Sequence, residues 1–359
     1  MQASTEELPN LKTHSTVSFV FLFLVVSLPF SAESTPLPNE NSSPNARVVI
    51  SSKADQFAKV LKYGTSSERK SALQEIEKLS TEEFGSLRTL ISESLLKERE
   101  ASMKIAFLRA IGNLKIQESS QGVTELVSDS NEDVARQAVS TLKKLNPPDG
   151  WEKIYSRLQT EDFTRNSNLT IALIEALAEM EGGEGAGKFL EDRLKESFNS
   201  HEVRSQIALF LGRKKIQSAE VTLQSIAFNE KEPLTLRTYC IHSLGKIGSK
   251  SSIPRLREIL EEVRNHPSGT DSRKNQMLKV YSLGALVDLG AEEAFQEIVE
   301  FTRDDDSFVR FRAIQFLADT GKEEAREILE YKSRKDPSPK IQKYARERLE
   351  AWGKQESQP

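Results

Sequence analysis

The stretch Val309-Arg310-Phe311-Arg312-Ala313-Ile314-Gln315-Phe316-Leu317-Ala318 sets an aliphatic residue at a position 0, a small one at +4, an aliphatic at +5 and a leucine at +8. At 100° per residue, positions 0, +4, +8 and +11 share one narrow sector of a helical wheel, so the segment is a helix with one apolar stripe. The same register returns at Val203 (VRSQIALFLG), Leu236 (LRTYCIHSLGKIG), Val134 (VARQAVSTLKKL), Met103 (MKIAFLRAIGNL) and Leu169 (LTIALIEALAEM). Leu278 (LKVYSLGALVDLG) and Ile341 (IQKYARERLEAWG) fit it too, and Glu68 (ERKSALQEIEKL) opens a weaker first copy. The starts are separated by 35, 31, 35, 34, 33, 42, 31 and 32 residues. Self-similarity at such a period marks a stacked repeat.

A shorter apolar pattern precedes each of these helices, as in Val123/Leu126/Val127, Ile154/Tyr155/Leu158, Ile253/Leu256/Ile259/Leu260 and Ala325/Ile328/Leu329. Pro254 falls near a helix start, where its missing amide donor costs little. Gly248, Gly290 and Gly353 follow last turns, where a left-handed cap is expected. No strand-like alternation competes after residue 53. The reading is all-α: about nine antiparallel helix pairs over residues 53–353. A pair cannot bury its stripe alone, so neighbouring pairs stack into an α-solenoid, a right-handed superhelix. Its thin core agrees with a hydrophobic content of only 37%.

These residues resemble the HEAT repeat family, including its HEAT-like, phycobilisome-lyase-type variant. The resemblance rests on the aliphatic-Arg starts (Val203-Arg204, Leu236-Arg237, Val309-Arg310), the +4/+5 pair and the Leu-Gly closes (Leu211-Gly212, Leu244-Gly245). It implies a scaffold whose inner helices line a concave binding surface, and it implies no reaction. Glu68 replaces the aliphatic start, and Met103 and Leu278 are followed by Lys rather than Arg, so the first unit departs most or serves as an amphipathic cap.

Before the repeats, Val17–Phe30 is a 14-residue apolar run. A spanning helix needs about 20; this run suits the core of a secretory signal peptide, with Ala32-Glu33-Ser34 offering small residues for cleavage. Residues 1–34 are expected to be a signal peptide, with cleavage after Ser34 or Ala32. An uncleaved anchor and a cytosolic chain are the alternatives. Residues 35–52, with three prolines and many small polar residues, read as a flexible linker, and 354–359 as a disordered tail. The expected location is periplasmic or secreted, with no stable membrane span after cleavage.

Several function classes are disfavoured. Lys and Arg number 50 against 54 Asp and Glu, and removing the first 34 residues leaves a net charge of about −2. A dedicated nucleic-acid binder would carry a basic excess. The single Cys240 excludes a disulfide framework or a thiolate zinc cluster. His14, His201, His242 and His266 lack metal-ligand spacing. Gly182-Gly183-Glu184-Gly185-Ala186-Gly187-Lys188 formally reads GxxxxGK, but Phe189 follows where Ser or Thr is needed and no strand precedes. It reads as an inter-repeat turn. Cys240, at +4, reads as a buried inert thiol, with His242 on another helix face.

Two patterns point to contacts. Arg204, Arg237 and Arg310 stand at +1, where a ladder to acids of neighbouring units is expected, with Asp304, Asp305, Asp306 and Glu202 nearby and ligand contact as the alternative. Tyr239, Tyr281 and Tyr344 stand at +3, with Arg312 at the same position between the last two. Such a row is either the wall of a peptide-binding groove or a packing seam. The candidate partner-binding residues are therefore Tyr239, Tyr281, Arg312 and Tyr344. The lengthened step holds His266-Pro267-Ser268-Gly269-Thr270-Asp271-Ser272, tolerated surface length or a loop beside a binding face.

The leading expectation is a non-catalytic exported scaffold for a protein or peptide partner, without cofactor or metal. The alternative is a HEAT-like repeat enzyme or accessory factor, chromophore-lyase-like or iron-dependent. The latter would want His-Glu pairs repeated along the array, and His201-Glu202 occurs once.

Overall fold

The first three helix starts are set by polar caps. Ser52, Thr65 and Ser80 each accept a bond from the backbone amide three residues on, while Asp55, Glu68 and Glu83 reach back to the capping amide. This accounts for Glu68 in place of an aliphatic residue: its carboxylate accepts from the Thr65 amide at 2.8 Å. The computed structural model describes residues 52–264 and 272–356. The signal segment, the linker up to residue 51, His266–Asp271 of the long step and the last three residues lie outside that range.

Among the described residues there are nine helix pairs. The first helices are α1 (Lys53–Tyr63), α3 with α4 (Thr81–Gly85, Arg88–Lys97), α6 (Ser120–Leu126), α8 (Gly150–Leu158), α10 (Gly187–Lys195), α12 (Glu220–Ala227), α14 (Ile253–Arg264), α16 (Glu292–Phe301) and α18 (Glu323–Lys335). Their partners are α2 (Ser66–Ile76), α5 (Ala101–Leu114), α7 (Glu132–Leu145), α9 (Asn168–Glu179), α11 (His201–Arg213), α13 (Leu234–Ile247), α15 (Ser272–Asp288), α17 (Ser307–Thr320) and α19 (Pro339–Glu356). Every register start falls in a second helix. Second helices of most neighbouring pairs pack on one another while first helices scarcely touch, so the second helices form the shorter, concave layer. Gly212 permits one such approach: a Cβ there would lie 2.7 Å from the Ser243 Cα on α13.

The stripes are buried as the register requires: Leu236, Cys240, Ile241 and Leu244 on α13, Val309, Ala313, Ile314 and Leu317 on α17. A fully buried side chain of this size contributes about 1.5–3 kcal/mol, so each pair is held mainly by its neighbours. One core runs from Leu61 to Ala325. A second, smaller one holds Ile314, Ala318, Leu329, Ile341 and Ala345, with Phe311, Tyr344 and Trp352 against it. Gly248 and Gly290 end their helices in the left-handed region. Gly353 does not: α19 continues through it to Glu356, carrying helix into the polar tail. The glycine-rich turn is shaped around Trp151, whose ring lies within 3 Å of where side chains at Gly182 and Gly185 would start.

The +1 residues form a ladder between units. Arg204 makes two bonds of 2.9 Å to Glu232, and Arg310 two of 3.1 Å to Asp336. Both acids lie in loops of the following pair. For Arg310 the neighbours Asp304 and Asp305 serve through backbone carbonyls, at 2.8 and 3.0 Å, while the carboxylate partner is Asp336. Arg237 bonds the Ala227 carbonyl. Lysines and the first copy keep the device: Arg69–Glu98 at 2.7 Å, Lys104–Asp129 at 2.7 Å and Lys279–Glu297 at 2.9 Å.

Candidate functional site

The second helices from α9 to α19 turn one further face inward, built of positions +3, +6 and +10. At 100° per residue these positions lie beside the buried stripe, on the side away from the first helices. They line a cleft of about 670 Å³ that includes Tyr239, Tyr281, Arg312 and Tyr344 together.

The row behaves partly as a seam and partly as a wall. Tyr281 is 2% exposed. The Tyr239 ring lies 6.0 Å from it and Phe316 5.5 Å, edge-on. Tyr344 packs edge-on against Phe311 at 5.3 Å. Tyr239, Arg312 and Tyr344 are half-buried and face the opening. The Arg312 guanidinium sits between two rings, 5.5 Å from Tyr281 and 5.4 Å from Phe308, a favourable placement for a cation over aromatic faces. Its Nη1 donates to Gln315 Oε1 at 2.9 Å.

Further residues of the cleft include His242 at +6 and Phe316 at +7, with Lys246 and Asp319 at +10. The same 3.6-residue period that singles out +3 carries forward to these positions, so the signal lay in the register. Phe316 reaches its place because α15 has Gly284 beneath it; a Cβ there would meet the ring at 2.6 Å. His242 lies 6.4 Å from Tyr281 and 5.5 Å from Phe316, ring centre to ring centre. Burial, reinforced by repulsion from Lys246, pushes its pKa down to about 3. The imidazole is therefore neutral at physiological pH.

The +10 row is a chain of ion pairs. Arg213 reaches Glu179 at 3.3 Å, and Lys246 reaches Asp288 at 3.1 Å and Asp319 at 2.9 Å. Arg348 adds a second cation to Asp319 at 3.1 Å. Burial works against the Lys246 charge, but Asp288 and Asp319 outweigh it and hold its pKa above the ordinary value. Burial raises Asp288 in turn, with Lys246 pulling the other way.

Among the described residues, three buried polar atoms of the lining have no hydrogen-bond partner: Tyr281 Oη, His242 Nδ1 and Arg312 Nε. Cys240 lies behind this face, fully buried, its thiol pKa pushed up by burial. His201 is exposed at the start of α11. Among the described residues no cluster of three or more His, Cys, Asp or Glu could hold a metal ion, and no helix is long and apolar enough to cross a membrane. A second hollow of about 730 Å³ lies by the outer helices α16 and α18, around the exposed Tyr331. Its Arg310 and Lys332 are already committed to Asp336.

No protein-family model matches the chain, and no curated protein matches it in sequence. Solved structures are similar in fold. The CpcE–CpcF complex of phycocyanin lyase from Nostoc sp. PCC7120 matches with a TM-score of 0.48 and 17% identity, over 65% of this chain and 94% of that one. Kap121p bound to Nup53p matches with a TM-score of 0.45 and 14% identity, over 82% of this chain. The chain spans 36% of that karyopherin's length. Human deoxyhypusine hydroxylase in complex with glycerol gives a TM-score of 0.31 at 14% identity, over 75% of this chain and 99% of that one. In its paired helices and recurring register, the chain is an all-α solenoid of stacked helix pairs.

Proposed function

We propose that the protein is a non-catalytic scaffold, exported to the periplasm or beyond, that holds a protein or peptide partner along its concave face. The observation that supports this reading is the gathering of Tyr239, Tyr281, Arg312 and Tyr344 into one cleft. Rigid aromatic rings and an arginine around a hollow are the residue types that dominate binding energy at protein interfaces. The +10 row is internally neutralised, which suits a polypeptide better than a phosphate backbone. The only thiol is buried, and the one histidine of the cleft is walled by aromatic rings, so neither makes a nucleophile–base pair. Export rests on the apolar run Val17–Phe30 and the small residues after it.

The test is site-specific photo-crosslinking in the native host, with a benzophenone amino acid at Tyr239 or Tyr344 and, as outer-face controls, at the exposed Tyr331 or Val221 of the first helices. One recurrent stoichiometric partner from the inner positions, absent from the outer ones, is expected. Crosslinks confined to the outer positions would sink the reading. Amino-terminal sequencing of the same material should begin near Thr35 or Glu33; an intact leader in cytoplasmic material would remove export.

A further inference from the structure

Resting on the concave-face reading, we infer that the cleft between α13, α15 and α17 is a carboxylate pocket, which takes an Asp or Glu side chain from an extended segment of the partner. The charges of the lining decide this. Arg213 and Lys246 are neutralised by Glu179, Asp288 and Asp319, with Arg348 also on Asp319. Arg312 has no carboxylate within ion-pair distance among the described residues. It is held between Tyr281 and Phe308 with only Gln315 Oε1 on one of its nitrogens. Glu175, the lining carboxylate without a cation, lies at the opposite end, on α9.

The polar atoms left over at this end are of matching kind. Tyr281 is buried, and its hydroxyl is unpartnered, as are Arg312 Nε and His242 Nδ1. Buried polar groups are almost always bonded, so the Tyr281 hydroxyl and His242 Nδ1 stand out in this lining, with Arg312 Nε beside them. Two of them, the Arg312 Nε–H and the Tyr281 O–H, donate. A neutral imidazole donates from Nδ1 in one of its tautomers. A carboxylate, which accepts at both oxygens, fits this set; an ammonium group offers only donors and leaves the guanidinium unpaired. Phe316 and Tyr239 make the walls beside it apolar, so the acidic residue is expected next to an aromatic or aliphatic one.

The experiment is panning of randomised peptides, displayed on phage, against the full chain, with the Arg312→Gln variant as counter-selection. Enriched peptides should carry Asp or Glu beside an apolar residue. For a synthetic, amidated winner, replacing that Glu by Gln should weaken binding about tenfold or more, the worth of a charge-assisted hydrogen bond. Arg312→Gln should abolish the preference for Glu over Gln, and Tyr281→Phe, which keeps the ring, should reduce it. A free-acid peptide lacking Asp and Glu should not compete. Peptides that bind, crosslink at Tyr239 and show no Glu preference would overturn the carboxylate inference and leave the concave-face reading standing. Enrichment of no peptide at all would overturn both.

Discussion

At the scale of single residues, His242 is the most informative. In the folded chain it resists protonation down to about pH 3, whereas an unfolded histidine takes its proton near 6.5. Between those values the unfolded state binds the extra proton, so stability falls as pH falls from about 6.5 toward 3. Asp288 acts in the opposite sense, because its raised pKa lets the folded state take a proton first. Comparing His242→Gln with the parent isolates the histidine. Urea unfolding at pH 7 and pH 4.5 should show the parent losing about 2 kcal/mol more than the variant. Equal losses would mean that the imidazole is solvated. His242 stands in the sequence as a lone histidine in an apolar helix, and nothing within its own helix gives its environment. Phe316 and Tyr281 come from other helices, one of them admitted by Gly284.

At the scale of elements, the +1 cations Arg69, Lys104, Arg204, Lys279 and Arg310 each fasten their pair to the next. The strength of each rung follows its burial. Asp336 has a fully buried side chain and takes Arg310 and Lys332 together. Burial works against its charge, but Arg310, the Ser338 amide and Lys332 outweigh that and hold its pKa below the ordinary carboxylate value. The rung thus stabilises above that value and weakens as pH falls through it. Asp336→Ala strands two buried cations and should cost about 3–5 kcal/mol. Asp129→Ala, which frees the more accessible Lys104, should cost about 1 kcal/mol. Chemical denaturation of the two variants checks the order, and equal costs would show that the ladder is not graded by burial. The cations of this ladder were legible from the register at Arg204, Arg237 and Arg310. Their acids were not, because Glu232 and Asp336 sit in irregular loops with no period to mark them. The lysines at 104 and 279 look like departures in sequence and make the same pairing in space.

At the scale of the whole array, stability is a sum over pairs and their contacts rather than one global quantity. The last pair closes against α17 on a small core of five buried residues, so its amides should exchange with solvent before those of α9 to α13. Hydrogen exchange followed by mass spectrometry measures this directly, and uniform protection along the chain would contradict it. The solenoid itself was readable because nine copies of one stripe repeat a single physical requirement. The cleft was half readable: +3 gave Tyr239, Tyr281, Arg312 and Tyr344, while depth and closure came from packing across α13, α15 and α17. Trp151 and Trp352, the only two tryptophans, occupy different parts of this arrangement, the fourth pair and the last. One is clasped by the glycine turn before α10, the other lies against the terminal core. The chain thus carries two built-in optical gauges. With either ring replaced by phenylalanine, the remaining fluorescence reports the loosening of one region alone, the interior at Trp151 or the last pair at Trp352, without any label attached.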